Sequence, residues 1–143
     1  MTDKSKFLNI PYSFLSLLIG LIDGDGHISI TATNKGYVKI CLVISLNIRD
    51  LPLLQYINSK IYIGKVNSYP KLKVKNTCKL VINKTDLQDI FFPLMRYHNL
   101  FFITKERKIQ YDKAIYIMEN NILYYKDIPL IIPSYSPSYY FKK

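Results

Sequence analysis

The sequence predicts an α+β fold in which helices pack on one face of an antiparallel four-stranded sheet and leave the other face open. Three observations predict it. Residues 13–22 read as a helix that is apolar on nearly every side and stops at two carboxylates, Asp23 and Asp25. Directly after Gly26 the hydrophobic period changes from helical to two, which gives a matched strand pair. A second, lysine-rich strand pair follows an intervening helix and precedes further helical stretches. The order is therefore αββαββα, and 143 residues of which 49% are hydrophobic suffice for one domain with a core.

The first helix carries Phe14, Leu15, Leu17, Leu18, Ile19, Leu21 and Ile22, so burial on most sides is expected. Pro11 suits its first turn, where a missing N–H costs nothing. Gly20 removes a side chain where another backbone could come close. Asp23-Gly24-Asp25-Gly26 is expected to break the helix, with glycine taking the left-handed exit. Two acids at a helix C-terminus oppose its dipole, a conflict that a bound cation relieves.

His27, Ser29, Thr31 and Thr33 then alternate with Ile28, Ile30 and Ala32. Asn34-Lys35-Gly36 supplies a turn, and the return strand puts Val38, Ile40, Leu42, Ile44 and Leu46 on one face. Tyr37, Lys39, Cys41, Val43, Ser45 and Asn47 fall on the other. Asp50 is placed to cap the next helix, with Pro52 in its first turn and Leu53, Leu54, Ile57 and Ile61 at helical spacing. Gly64 ends that helix. Residues 65–68, continuing through 71–75, and residues 77–82 give the second strand pair. A third helix starts at Asn83 or Thr85 with Leu87, Ile90, Phe91, Leu94 and Met95 as its apolar set, and Pro93 predicts a kink or early stop. The last helix spans residues 104–120, with Ile109, Ala114, Ile115 and Met118 as its expected buried stripe. Pattern fades beyond Asn121. The chain divides into an N-terminal arm (1–10), a domain (11–122) and a C-terminal extension or truncated linker (123–143).

Lys+Arg 20 against Asp+Glu 10 gives a net charge of +10, which points to a polyanionic partner. Cys41 and Cys78 lie far apart, and neither they nor His27 and His98 make a zinc-ligand set; free thiols suit a reducing compartment. The longest apolar run, residues 14–22, is far short of the ~20 residues a bilayer requires, so no membrane partner is expected. The first nine residues show neither a secretory nor a transit pattern. Abundant Ile, Lys, Asn and Tyr without Trp suggests an AT-rich, organellar gene translated in place, hence a mitochondrial or other organellar location.

The polar strand faces hold His27, Ser29, Thr31, Thr33, Tyr37, Lys39, Ser45 and Asn47, then Lys65, Asn67, Lys71, Lys73, Lys75, Thr77 and Lys79. A twisted β-ribbon fits the DNA major groove, where hydroxyls, amides and lysines read base edges and outlying lysines pair with phosphates. A solvated sheet face would show the same alternation. Lys71, Lys73 and Lys75 favour the DNA reading, because like charges on one face repel unless an anion crosses them. The 13 tyrosines have no regular spacing for stacking single-stranded bases, so duplex is the better fit.

Leu18-Ile19-Gly20-Leu21-Ile22-Asp23-Gly24-Asp25-Gly26 resembles the name-giving motif of the LAGLIDADG homing endonucleases, differing only at Ile19 and Gly24. Residues 12–121 follow that family's repeat in element order and spacing, most closely the first half of fungal mitochondrial intron-encoded members. The resemblance implies the homing-endonuclease fold and a site-specific, Mg²⁺-dependent endonuclease (Mn²⁺ as a substitute) that makes a staggered double-strand break. It implies Asp25 as metal ligand with the Gly24 carbonyl beside it, and Gly20, Asp23 and Gly26 as structural members of the motif. In the family Asp23 satisfies the backbone at the helix end of the partner repeat. Lys105 falls where the family carries a lysine near the active site, polarising water or stabilising the pentavalent phosphate. The family's polar residue near the end of the second strand matches either Asn47 or Ile48. One carboxylate per repeat suits Mg²⁺, which takes few protein ligands plus phosphate and water.

A single motif cuts one strand, so a homodimer or a separately made second half is implied. Two alternatives stand beside the nuclease: an intron-encoded RNA maturase that binds intron RNA, and a catalytically inactive DNA-binding module. Residues 58–65 also look like the second half of a GIY-YIG signature, but no Gly-Ile-Tyr triplet precedes them at the required distance.

Overall fold

The structure, a computed structural model, describes residues 5–68 and 76–135. A four-stranded antiparallel sheet runs in the order β1-β2-β4-β3, built from β1 (Gly26–Ala32), β2 (Val38–Asn47), β3 (Lys65–Ser68) and β4 (Thr77–Asn83). Gly36 turns the first hairpin with φ +85°, as its place in the sequence predicts. Ile28, Ile40, Leu42, Ile44, Cys78, Leu80 and Ile82 lie on the closed face and join one core with the helices. The even and odd positions of each strand thus part into a buried and an open side.

Helix α1 (Ser5–Leu8) puts Phe7 into that core, followed by Ile10. Helix α2 (Tyr12–Asp25) departs from expectation in two ways. It runs through Asp23-Gly24-Asp25 and enters β1 with Gly26 extended (φ −111°, ψ 179°), so no left-handed exit is used. Gly26 is needed for space instead: a Cβ there would lie 3.1 Å from Ile22 backbone and side chain. The helix is also buried on one side only. Leu15, Leu18, Ile19 and Ile22 face the core, while Leu17 is 74% exposed and Gly20 meets nothing within 4 Å.

Helix α3 (Leu51–Ile61) begins after a short 3₁₀ turn (Ile48–Asp50) that is capped by Asn47, whose Oδ1 accepts from Arg49 N–H at 2.9 Å. Asp50 makes no side-chain cap. Helix α3 ends at Ile61 with Tyr62 in the left-handed region (φ 66°), two residues before the Gly64 expected to end it, which also takes positive φ (90°). An aromatic residue tolerates the position because its ring packs edge-on against Phe7 and under the Lys6 ammonium. Asn83 starts the third helical stretch by accepting from Asp86 N–H, and α4 (Lys84–Asp86) passes through a π turn (Leu87–Phe91) into α5 (Phe92–Tyr97). The π turn, closed by Phe92 N–H on the Leu87 carbonyl, absorbs Pro93 without stopping the helix.

Helix α6 (Lys105–Glu119) is capped by Thr104 and buries Tyr111, Ala114, Ile115, Ile117 and Met118. Ala114, Ile115 and Met118 are buried as expected, whereas Ile109, expected in the same stripe, is 57% exposed. Beyond α6 the chain returns to the sheet and then lies along α6. Ile122, Ile128 and Tyr135 pack on the core, and Tyr135 N–H donates to Asp112 Oδ1.

Candidate active site and nucleic-acid interface

The end of α2 presents two carboxylates with different fates. Asp23 is 8% exposed and turns back toward the start of α6. Its Oδ2 accepts from Ile103 N–H at 2.8 Å, and its Oδ1 accepts from Thr104 N–H at 3.1 Å and from the Thr104 hydroxyl at 2.8 Å. Asp23 therefore caps a helix of its own chain, and the expected role at a partner repeat is corrected to an internal one. The physical reason is the positive dipole end of α6, which sits against this negative side chain.

The dipole conflict at the α2 end is answered by Arg107. Its Nε donates to the Ile22 and Asp23 carbonyls at 3.2 and 3.3 Å, and its side chain is only 12% exposed. Its guanidinium also donates to Gln110 Oε1 at 3.1 Å, and the same oxygen accepts from Ile28 N–H at 2.9 Å. Arg107 and Gln110 thus hold both flanks of Gly24-Asp25-Gly26. Neither residue stands out in the sequence. The only signal was the unmet need of the α2 carbonyls for a cation, and the sequence does not say which one answers it.

Asp25 is exposed, and its carboxylate has no hydrogen-bond or ion-pair partner among the described residues. Gly24 beside it is exposed and open around its Cα. Lys105 is exposed in the first turn of α6, directly after the Thr104 that Asp23 holds. Among the described residues no three His, Cys, Asp or Glu side chains converge as a metal cage. A carboxylate without a protein partner, next to a backbone carbonyl, still fits Mg²⁺ or Mn²⁺, provided phosphate and water complete the shell.

The open face extends from this site in cross-strand rows. Pairing places Thr31 beside Lys39, and puts Ser29, Cys41 and Asn83 in one row across the sheet and His27, Val43, Val81 and Lys65 in another, with His27 and Lys65 on opposite edge strands. Ser45, Lys79 and Asn67 form the next row, and Asn47 pairs with Thr77. The sequence-predicted strand residues within the described chain therefore share one face, to which the structure adds Asn83. Three of them carry other duties. Asn47 is committed to its cap, the Thr33 hydroxyl accepts from Tyr37 N–H at 3.1 Å, and Thr77 Oγ1 is covered with no hydrogen-bond partner among the described residues. Lys71, Lys73 and Lys75 lie outside the described residues. Burial, reinforced by the Arg107 and Lys79 cations, holds the His27 pKa below its ordinary 6.5, so this imidazole meets the face neutral at physiological pH.

A helix that ends in an exposed carboxylate thus leads directly into a four-stranded antiparallel sheet whose open face carries hydroxyls, amides and lysines. The chain belongs to the LAGLIDADG endonuclease family, whose model matches residues 18–118. It is similar to the LAGLIDADG meganuclease I-AabMI, solved bound to uncleaved DNA, at 26% identity and a TM-score of 0.59 over 75% of this chain and 37% of that one. It shares its fold with the homing endonuclease I-GzeII, solved in complex with a DNA target, at 22% identity, a TM-score of 0.60, 79% of this chain and 38% of that. It also shares its fold with I-CvuI, solved with its target in the presence of calcium, at 18% identity, a TM-score of 0.57, 75% of this chain and 66% of that. The chain spans little more than a third of the length of the first two. No helix among the described residues is long and apolar enough to cross a membrane.

Proposed function

We propose that this chain is one half of a site-specific, divalent-metal-dependent double-stranded DNA endonuclease. The observation that carries the proposal is the partnerless carboxylate of Asp25, held at the end of a clamped helix beside an open polar sheet face. Asp25 and the Gly24 carbonyl would hold Mg²⁺, which when bound activates water and neutralises charge on the phosphate. Lys105, exposed directly after the Thr104 that Asp23 holds, would add positive charge to stabilise the phosphate in the transition state. Arg107 and Gln110 fix the backbone on which Asp25 rides, so the carboxylate needs little reorganisation. His27, Ser29, Thr31, Lys39, Ser45, Lys65, Asn67 and Lys79 face the duplex, and the relatives solved on DNA support that reading of the face.

One Asp25 serves one strand, so a second copy or a second half completes the break. The outer side of α2 supports this. Tyr12, Leu17, Gly20, Leu21, Leu53 and Tyr56 line an apolar groove of about 910 Å³, and Gly20 leaves room for a facing backbone. Leu17→Glu is expected to make the pair monomeric in sedimentation while the monomer keeps its fold in circular dichroism; a dimer unchanged by the charge would place the interface elsewhere.

The function is tested by plasmid cleavage on the uninterrupted form of the gene that hosts this reading frame, with Mg²⁺ and with EDTA. Linear product that requires Mg²⁺ is the expected result. A folded protein that binds the intron RNA and never cuts would replace this reading with the maturase.

A further inference from the structure

The segment after α6 is the part of the described chain that the proposed function leaves unused. It does not trail away. Leu123 accepts from Val38 N–H at 2.9 Å, Tyr125 N–H donates to the Gly36 carbonyl at 2.9 Å, and Tyr124 forms an antiparallel bridge with Tyr37. β4 ends at Asn83, opposite Cys41, so the start of β2 has a bare edge on that side. Residues 123–125 take it up and carry the sheet on at its hairpin end.

This added piece brings side chains to the open face. Tyr37 has the strand parity of Lys39, and the Tyr124 ring stacks on the Tyr37 ring at 5.2 Å and 24°. The Lys126 ammonium lies 5.9 Å from the centre of the Tyr124 ring. Tyr125 points the other way, under Lys113 of α6 at 5.6 Å. Edge protection and ring stacking alone would account for the pairing of the two tyrosines. They do not account for the exposure of both rings, 44% and 41%, or for a lysine layered on the same platform in a chain of net charge +10.

We propose that Tyr124 and Lys126, stacked on Tyr37, form a clamp for the sugar–phosphate backbone of duplex DNA at the hairpin end of the face. The inference rests on the DNA-binding reading above and adds a second binding point to it. β1 and the step on to Thr33 cover about 23 Å at ~3.3 Å per residue. That is roughly seven base-pair steps at ~3.4 Å. The clamp therefore meets the duplex about seven pairs out from Asp25. Its groups, a lysine charge and phenol hydroxyls on flat rings, suit phosphate and sugar. It holds register without reading sequence.

The test is equilibrium binding of the full chain to fluorescent random-sequence duplexes, in Ca²⁺ so that nothing is cut. One duplex is long enough to reach the hairpin end, and the other is too short. Lys126→Ala is expected to weaken binding to the long duplex on the order of 5-fold and to lower its salt slope by about one. Binding to the short duplex stays unchanged, and Lys113→Ala, on the far side of the segment, changes neither. Tyr124→Phe keeps the stack and is expected to show a smaller loss confined to the long duplex. Wild-type affinity and slope for Lys126→Ala would overturn the clamp while leaving the DNA reading intact. A wild-type chain that binds no duplex at all would overturn both.

Discussion

Asp23 and Asp25 stand two residues apart on the same helix end, yet one is buried with three hydrogen bonds and the other is exposed with none among the described residues. The difference is set by what folds against each. Asp23 faces the N-terminus of α6, where backbone N–H groups lack intrahelical partners. Asp25 is exposed at the last position of α2, where the chain passes into β1. Identical chemistry is thus spent on architecture at one position and left available at the next.

The largest effect that sharpens this contrast is on catalysis. Asp25→Asn is expected to lower cleavage at least ~10³-fold, about 4 kcal/mol of barrier, with the unfolding midpoint unmoved. A rate assay beside a thermal melt separates the two readouts. The reverse pattern is expected for Asp23→Ala, which orphans two backbone N–H groups and a hydroxyl at the start of α6. It should cost about 2–4 kcal/mol in urea unfolding. If Asp23→Ala left stability intact, the division of labour would collapse.

Arg107→Met comes next, at about 1.5–3 kcal/mol, because it removes the charged donor from the Ile22 and Asp23 carbonyls while keeping much of the side-chain bulk. The smallest effect repeats the buried-against-accessible contrast in the two thiols. Cys78 is fully buried on the closed face and Cys41 is half-buried on the open one. Burial pushes the Cys78 thiol up from 9.0. Its unfolded form ionises first as pH rises, so the stability it contributes is complete below pH 9.0 and is lost above it. Alkylation in the native state should label Cys41 before Cys78, and duplex DNA should protect Cys41.

The sheet, its hairpin and the carboxylate pair were legible because alternation and glycine placement are local signals. So was the sharing of one face by the polar strand residues, since parity follows from register. What escaped is held by distant partners. Asp23 meets residues 80 and 81 positions away, so no window of sequence could have assigned its cap or explained why α2 continues through Asp25. Pro93 predicts a kink or an early stop, and of the two the stop does not occur: a π turn carries the helix on, with Leu87, Phe91 and Phe92 all buried. Ile109 was placed in the core on spacing alone, and the return of residues 121–135 along α6 gave it other neighbours. The outer side of α2 reads as buried in the sequence, and in the single chain it is open, with Leu17 74% exposed; the proposed second half would cover it.

The most direct measurement is a Mn²⁺ titration of the chain bound to duplex DNA, read by electron paramagnetic resonance, for wild type, Asp25→Asn and Asp23→Asn. Saturable Mn²⁺ binding that survives in folded Asp23→Asn and disappears in Asp25→Asn is the predicted result. Equal binding in wild type and Asp25→Asn would contradict Asp25 as the metal ligand and, with it, the proposed site.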